Sequence, residues 1–192
     1  MFNNLNIAAR ALKIVPNSGT TPHRLRWALL LIPFLPLYPA QAAPVLKELT
    51  PRLEAPALAL SDLDNRIHRL SEQHGKVVLV NLWATWCPPC RKEMPSMKRL
   101  WTQLKGEPFV MYAVNAGEDA SVISDFLFEA DIENSFTILL DRDGDAMRNW
   151  RVPGLPTSFI IDKAGRIVHR VVGGREWDAA GIVERIRELM KE

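Results

Sequence analysis

The chain of 192 residues contains two cysteines, Cys87 and Cys90, with only Pro88 and Pro89 between them. A disulfide that serves stability does so by restricting the unfolded chain, and its effect grows with the length of loop it closes. A bridge from 87 to 90 closes almost nothing, so the pair points to chemistry. Residues three apart share a helix face, and that spacing lets two sulfurs join and part reversibly. At a helix start, free backbone N–H groups and the positive end of the dipole favour a thiolate, the reactive form of cysteine. Cys87 is then the attacking sulfur, and Cys90 the one that resolves the resulting mixed disulfide. Prolines fit the first helical turn, yet each removes an N–H that could have stabilised the thiolate. A less acidic Cys87 and a reducing poise are the expected consequence.

Hydrophobic patterning supplies the elements that would position this pair. The β-branched run 77–82 (VVLVNL) has the profile of a buried central strand and feeds into the cysteines. Residues 88–105 carry Met94, Met97, Leu100, Trp101 and Leu104 at helical spacing and end at Gly106. Upstream, 57–60 and 67–70 flank an Asp64-Asn65 turn and predict a β-hairpin. Downstream follow a strand at 109–114, a helix at 120–130, a short strand at 137–140 and a short helix at 143–150. The last third reads as strands 158–162 and 166–172 around a Lys163-Ala164-Gly165 turn, then an amphipathic helix from 176. Strands alternating with helices imply parallel pairing, and the tight turn implies an antiparallel pair beside it. An α/β fold results, with a mixed central sheet flanked by helices and an N-terminal β-hairpin.

The first 42 residues hold Arg10, Lys13, Arg24 and Arg26 and no acidic residue. Without them the formal charge of +2 becomes slightly negative, 20 basic against 22 acidic side chains, so no nucleic-acid footprint is present. The arginines precede an apolar run at 27–38 and an Ala40-Gln41-Ala42 cleavage pattern, the three parts of an export signal. That run is about 12 residues long and contains Pro33 and Pro36, whereas a membrane-spanning helix needs roughly 20. The expected organisation is a signal peptide at 1–42, an extended lead-in at 43–56 and one domain at 57–192. In a bacterium with two membranes the mature chain would work in the oxidising periplasm.

The segment Trp83-Ala84-Thr85-Trp86-Cys87-Pro88-Pro89-Cys90 resembles the active site of the thioredoxin superfamily. The segments 113–118 (AVNAGE) and 154–162 (GLPTSFIID) are similar to those of its exported TlpA/ResA/DsbE (CcmG) branch, and the likeness covers roughly residues 45 to 190. It implies a thioredoxin-like three-layer sandwich and a thiol–disulfide oxidoreductase acting on proteins that bear disulfides or thiols. The same resemblance makes Pro156 the cis-proline beside the cysteines and Thr157 its partner in substrate binding. It makes Trp86 the aromatic residue covering the site, and Glu118 an acid that moves protons during exchange. A membrane electron donor is implied too, since no nucleotide-binding pattern is present and no cofactor is called for. The expected protein is a monomer that reduces exported proteins, apocytochrome c among the candidates. One departure stands out: thioredoxin has a buried Asp six residues before its first cysteine, and here that place is Asn81. Asn cannot act as a base, which leaves Glu118, raised in pKa by burial, as the carboxylate to deprotonate Cys90. Its alternative role is a cap on the helix at 120.

Other classes fit less well. Zinc wants four ligands, but a second cysteine pair is absent and His68, His74 and His169 follow no ligand spacing, with His169 read as a surface or rim residue. A two-thiolate Cu(I) chaperone, a thiol oxidase and a non-catalytic binding module remain as competitors. The Pro-x-x-x-Thr-x-x-Cys pattern of peroxidases is missing. Residues 141–145 (DRDGD) resemble a calcium loop without its Glu at position twelve, so a turn is expected. Arg91-Lys92 and Lys98-Arg99 read as solvated helix faces with the capacity to steer acidic partners.

Overall fold

The computed structural model describes residues 46–133 and 135–192. The signal segment expected at 1–42, with the cleavage pattern before Ala43, lies outside the described residues.

The elements run β1 (Glu48–Glu54), β2 (Ala59–Ser61), β3 (Ile67–Arg69), β4 (Val77–Trp83), α1 (Pro88–Leu104), β5 (Phe109–Ala116), α2 (Ala120–Glu129), β6 (Thr137–Asp141), α3 (Asp145–Asn149), β7 (Thr157–Ile161), β8 (Arg166–Val172) and α4 (Ala180–Lys191). Six strands form one sheet in the order β1-β8-β7-β4-β5-β6. β4, β5 and β6 run parallel, while β7, β8 and β1 add antiparallel neighbours, so the sheet is mixed as the sequence predicts. The hairpin of β2 and β3 forms in register Ala59↔Arg69, and Asn65 takes the positive φ of 61° that its turn requires.

β4 is buried along its whole length, and its alternation divides the core. Val77, Leu79 and Trp83 face α1, where they join Met94, Met97, Leu100 and Leu104, together with Ile123 and Phe126 of α2 and Ile186 and Leu189 of α4. Val78, Val80 and Leu82 face the opposite layer, with Leu58 and Leu70 beside the hairpin and Ala146 and Trp150 in and after α3. The period-2 pattern of a strand thus builds three layers.

Several boundaries differ from the sequence reading. Part of the lead-in is β1, a strand paired with β8 at the sheet edge. The last helix begins at Ala180 rather than 176, because the preceding residues wrap toward α1. The short helix is confined to Asp145–Asn149, its first turn held by Asp141, whose carboxylate accepts the N–H groups of Ala146 and Met147. His169, expected at the surface or rim, is 1% exposed. β1 covers it, its Nδ1 lies 3.0 Å from the Lys47 carbonyl, and burial together with the Arg185 charge holds its pKa below the ordinary value. Among the described residues no group of three or more His, Cys, Asp or Glu side chains is placed to hold a metal ion.

Candidate active site

Cys87 and Cys90 are joined by a disulfide, with Cα atoms 5.3 Å apart. Cys87 is the N-cap of α1, and Pro88 and Pro89 begin the helix. The Cys90 N–H points at Cys87 Sγ across 3.3 Å, which makes Cys87 sulfur itself the acceptor at the helix start. Cys87 keeps 3% exposure and Cys90 none, so an incoming sulfur can reach only the first. With two prolines in the turn, Pro88 and Pro89 have no N–H to offer, and the next, that of Arg91, is spent on the Cys87 carbonyl.

The loop before Cys87 is tied down by Glu118. Its carboxylate accepts the Thr85 N–H at 2.7 Å, the Thr85 hydroxyl, and the Asn115 amide at 2.7 Å, while the Glu118 N–H returns a bond to Asn115 Oδ1. α2 is capped at Asp119, so Glu118 is not its N-cap residue. The geometry therefore gives Glu118 the task of holding the strand-to-helix turn. Glu118→Ala is expected to lower the exchange rate about tenfold while leaving the shape of its pH profile unchanged, as stopped-flow measurements from pH 5 to 9 would record. A changed profile would instead support the proton-carrying role that the resemblance implies.

Trp86 projects from this loop with 67% of its surface exposed. The Leu155–Pro156 bond is cis, and the Pro156 carbonyl accepts the Gly173 N–H. Thr157 pairs with Leu82 across β4 and β7, placing Pro156 beside the end of β4 from which the cysteine loop departs. The Thr157 hydroxyl is buried and donates to the Gly154 carbonyl at 2.7 Å, so it braces the loop before the proline instead of facing outward.

Sequence reasoning missed Glu93. This carboxylate stands three residues after Cys90, on the same face of α1, and is 2% exposed. Asn81 Nδ2 donates to its Oε1 at 2.8 Å, and the Arg175 N–H and Trp177 Nε1 donate to its Oε2 at 3.0 and 2.9 Å. Burial drives its pKa up, against the three hydrogen bonds that favour the charged form. Asn81 Nδ2 also donates to Ser158 Oγ, whereas Asn81 Oδ1, fully buried, has no partner among the described residues. Thus Asn81 does not leave the site without an acid; it holds one supplied by the helix. The signal was available: Glu93 lies four residues before Met97 and seven before Leu100, a charged residue on the apolar stripe.

Gly174 closes the arrangement. A Cβ there would come within 3.1 Å of the Pro89 carbonyl oxygen and 3.7 Å of Glu93 Oε2, so the loop after β8 presses directly on the first turn of α1. Ser96 pins the same loop, its Oγ accepting the Trp177 N–H at 3.0 Å.

The sequence pattern of the Redoxin family ("Redoxin") matches residues 50–186. The chain is 35% identical over 120 residues to the thiol-disulfide oxidoreductase ResA of Bacillus thuringiensis subsp. konkukian, covering 62% of this chain and 68% of that one. Over 119 residues it is 38% identical to the ResA of Geobacillus thermodenitrificans, covering 62% and 67%. Among solved structures, a Chlorobium tepidum protein named for the thiol:disulfide interchange protein DsbE superposes with a TM-score of 0.65 at 32% identity, over 76% of this chain and 99% of that one. The thioredoxin-like fold expected from the motifs is therefore the fold observed.

Proposed function

Because the chain belongs to the Redoxin family and is a thiol–disulfide oxidoreductase, we propose that it works as a reductant of exported proteins, with Cys87 as nucleophile, Cys90 as resolving thiol and Glu93 as proton acceptor. The observation that carries the direction is the helix start. Pro88 and Pro89 leave one N–H, that of Cys90, aimed at Cys87 sulfur. A thiolate with few donors is less stabilised than one facing a full set, and a less stabilised dithiol gives up its electrons more readily.

The reduced protein starts with a Cys87 thiolate. Its sulfur attacks one sulfur of the client disulfide; the client S–S bond breaks, and the other client sulfur leaves as a thiolate that takes a proton from solvent. Glu93 then accepts the Cys90 proton. The Cys90 thiolate attacks Cys87 sulfur, the intermolecular bond breaks, and the second client sulfur departs and takes up a proton as Glu93 gives back the one it accepted. Two electrons and two protons have moved to the client, and the protein holds its 87–90 disulfide.

Asn81 suits the proton's arrival. Glu93 Oε2 is occupied by two N–H donors, so the proton settles on Oε1. The new O–H then needs an acceptor, and rotation of the Asn81 amide presents its unpaired Oδ1.

Trp86 and Pro156 would receive the client's backbone around its cysteine, with Thr157 steadying the loop beneath. The basic and apolar residues at 10–38 support export to the periplasm, where a membrane donor would return the electrons. No helix among the described residues is long and apolar enough to cross a membrane.

Equilibration of the domain with dithiothreitol redox buffers tests the direction. The expected reduction potential is more negative than about −180 mV; a value near −120 mV, the oxidising end of the scale, would turn the reading into a thiol oxidase.

A further inference from the structure

We propose that the groove beside Pro89 selects clients that carry acidic residues next to their reactive cysteine, with Lys92 and Arg175 as the cations that receive them. The inference rests on the reductant reading and adds a partner chemistry to it.

The groove has a volume of about 350 Å³ and is lined by Pro89, Lys92, Glu93, Gly174, Arg175 and Glu176. Pro89 lies between the two cysteines, and the Gly173 N–H ties the other wall to Pro156, so a chain bound across the cysteines runs into this groove. Exposed apolar surface borders the same site, with Trp86 67% and Val172 57% exposed.

Charge gives the groove its preference. The other cations of α1 are engaged: Lys98 with Asp131 at 2.8 Å, Arg99 with Asp178 at 2.5 Å, and Arg91 above the Phe126 ring at 5.0 Å. Lys92 and Arg175 are exposed, and among the described residues neither side chain has a hydrogen-bonding or ionic partner. Of the acids nearby, Glu176 shares Arg99 with Asp178, at 3.4 and 2.5 Å, and Glu93 is enclosed by its three donors. Two positive charges without an ion-pair partner among the described residues therefore flank the path to Cys87. Such an arrangement acts mainly on encounter rate and partner choice, and salt screens it.

Three synthetic peptides test this, identical but for two residues beside a glutathionylated cysteine: Asp-Asp, Ser-Ser or Lys-Lys. Reduction by the fully reduced protein is followed in 20 mM and 500 mM salt, and each rate is divided by that of the Ser-Ser peptide in the same protein. The expected result is about a tenfold preference for the Asp peptide over the Lys peptide at low salt, collapsing toward equality at high salt. Lys92→Glu combined with Arg175→Glu should invert the order, and Lys92→Gln alone should shrink it should the double variant not fold. Equal rates for the three peptides, a preference for Lys, or a preference unmoved in the variants would overturn the proposal. Absence of any reduction of the Ser-Ser peptide by the unmodified protein would instead overturn the reductant reading, and this surface with it.

Discussion

Glu93→Gln is expected to slow disulfide exchange on the order of 100-fold near neutral pH, the scale of a lost general base. The same change is expected to make the fold more stable at pH 7. Both outcomes follow from one buried carboxylate. Its pKa in the folded protein lies above the ordinary 4.5 because burial penalises its charge. The folded state therefore binds a proton more tightly than the unfolded chain does. Its contribution to stability is complete below about pH 4.5 and is lost as the pH rises through the folded value. Glutamine carries no charge to bury, and its amide finds the Asn81 Oδ1 that now lacks a partner. Urea unfolding should show the variant ahead of the parent protein at pH 7, with the advantage vanishing near pH 4. The rate of exchange in the parent should climb with pH as the carboxylate ionises, and that limb should be missing in the variant. A variant that exchanges at the parental rate with the parental profile would remove Glu93 from the mechanism.

Cys87→Ala is expected to abolish exchange, with residual rates at least about 1000-fold down, since Cys90 is fully enclosed and offers no attacking sulfur. Cys90→Ala should behave differently. It retains the first attack and loses resolution, so it should accumulate clients as mixed disulfides through Cys87, visible on non-reducing gels and released by dithiothreitol. Identification of those clients by mass spectrometry would distinguish apocytochrome c from other exported proteins. Equal loss in both variants, with no trapped species, would contradict the assigned order of the two sulfurs.

The cysteine pair, the central strand and the order of elements were legible because each is a local signal. Val77 to Leu82 reads as a buried strand whatever surrounds it, and the Cys-Pro-Pro-Cys spacing defines its own chemistry. What escaped were properties created by distant residues. Glu93 becomes a buried acid only when Trp177 and Arg175, more than eighty residues away, fold over it. His169 became interior because β1 pairs alongside β8 and brings the Lys47 carbonyl to its ring, a pairing that a Pro-rich lead-in does not announce. The role given to Glu118 rested on resemblance, whereas its three donors, Thr85 N–H, Thr85 hydroxyl and Asn115 amide, could be counted only in three dimensions.

The split of β4 into two faces has an evolutionary consequence. Side chains at Val78, Val80 and Leu82 serve a packing cluster that the cysteine helix does not enter. Substitutions there would add or remove stability with little effect on sulfur reactivity, because sites with no shared partners contribute nearly independently. The opposite layer has no such freedom, as Leu79 and Trp83 pack in the same cluster as Cys87 and Cys90. Tolerance to heat and speed of catalysis could thus drift apart in this lineage, each adjusted on its own side of a single strand.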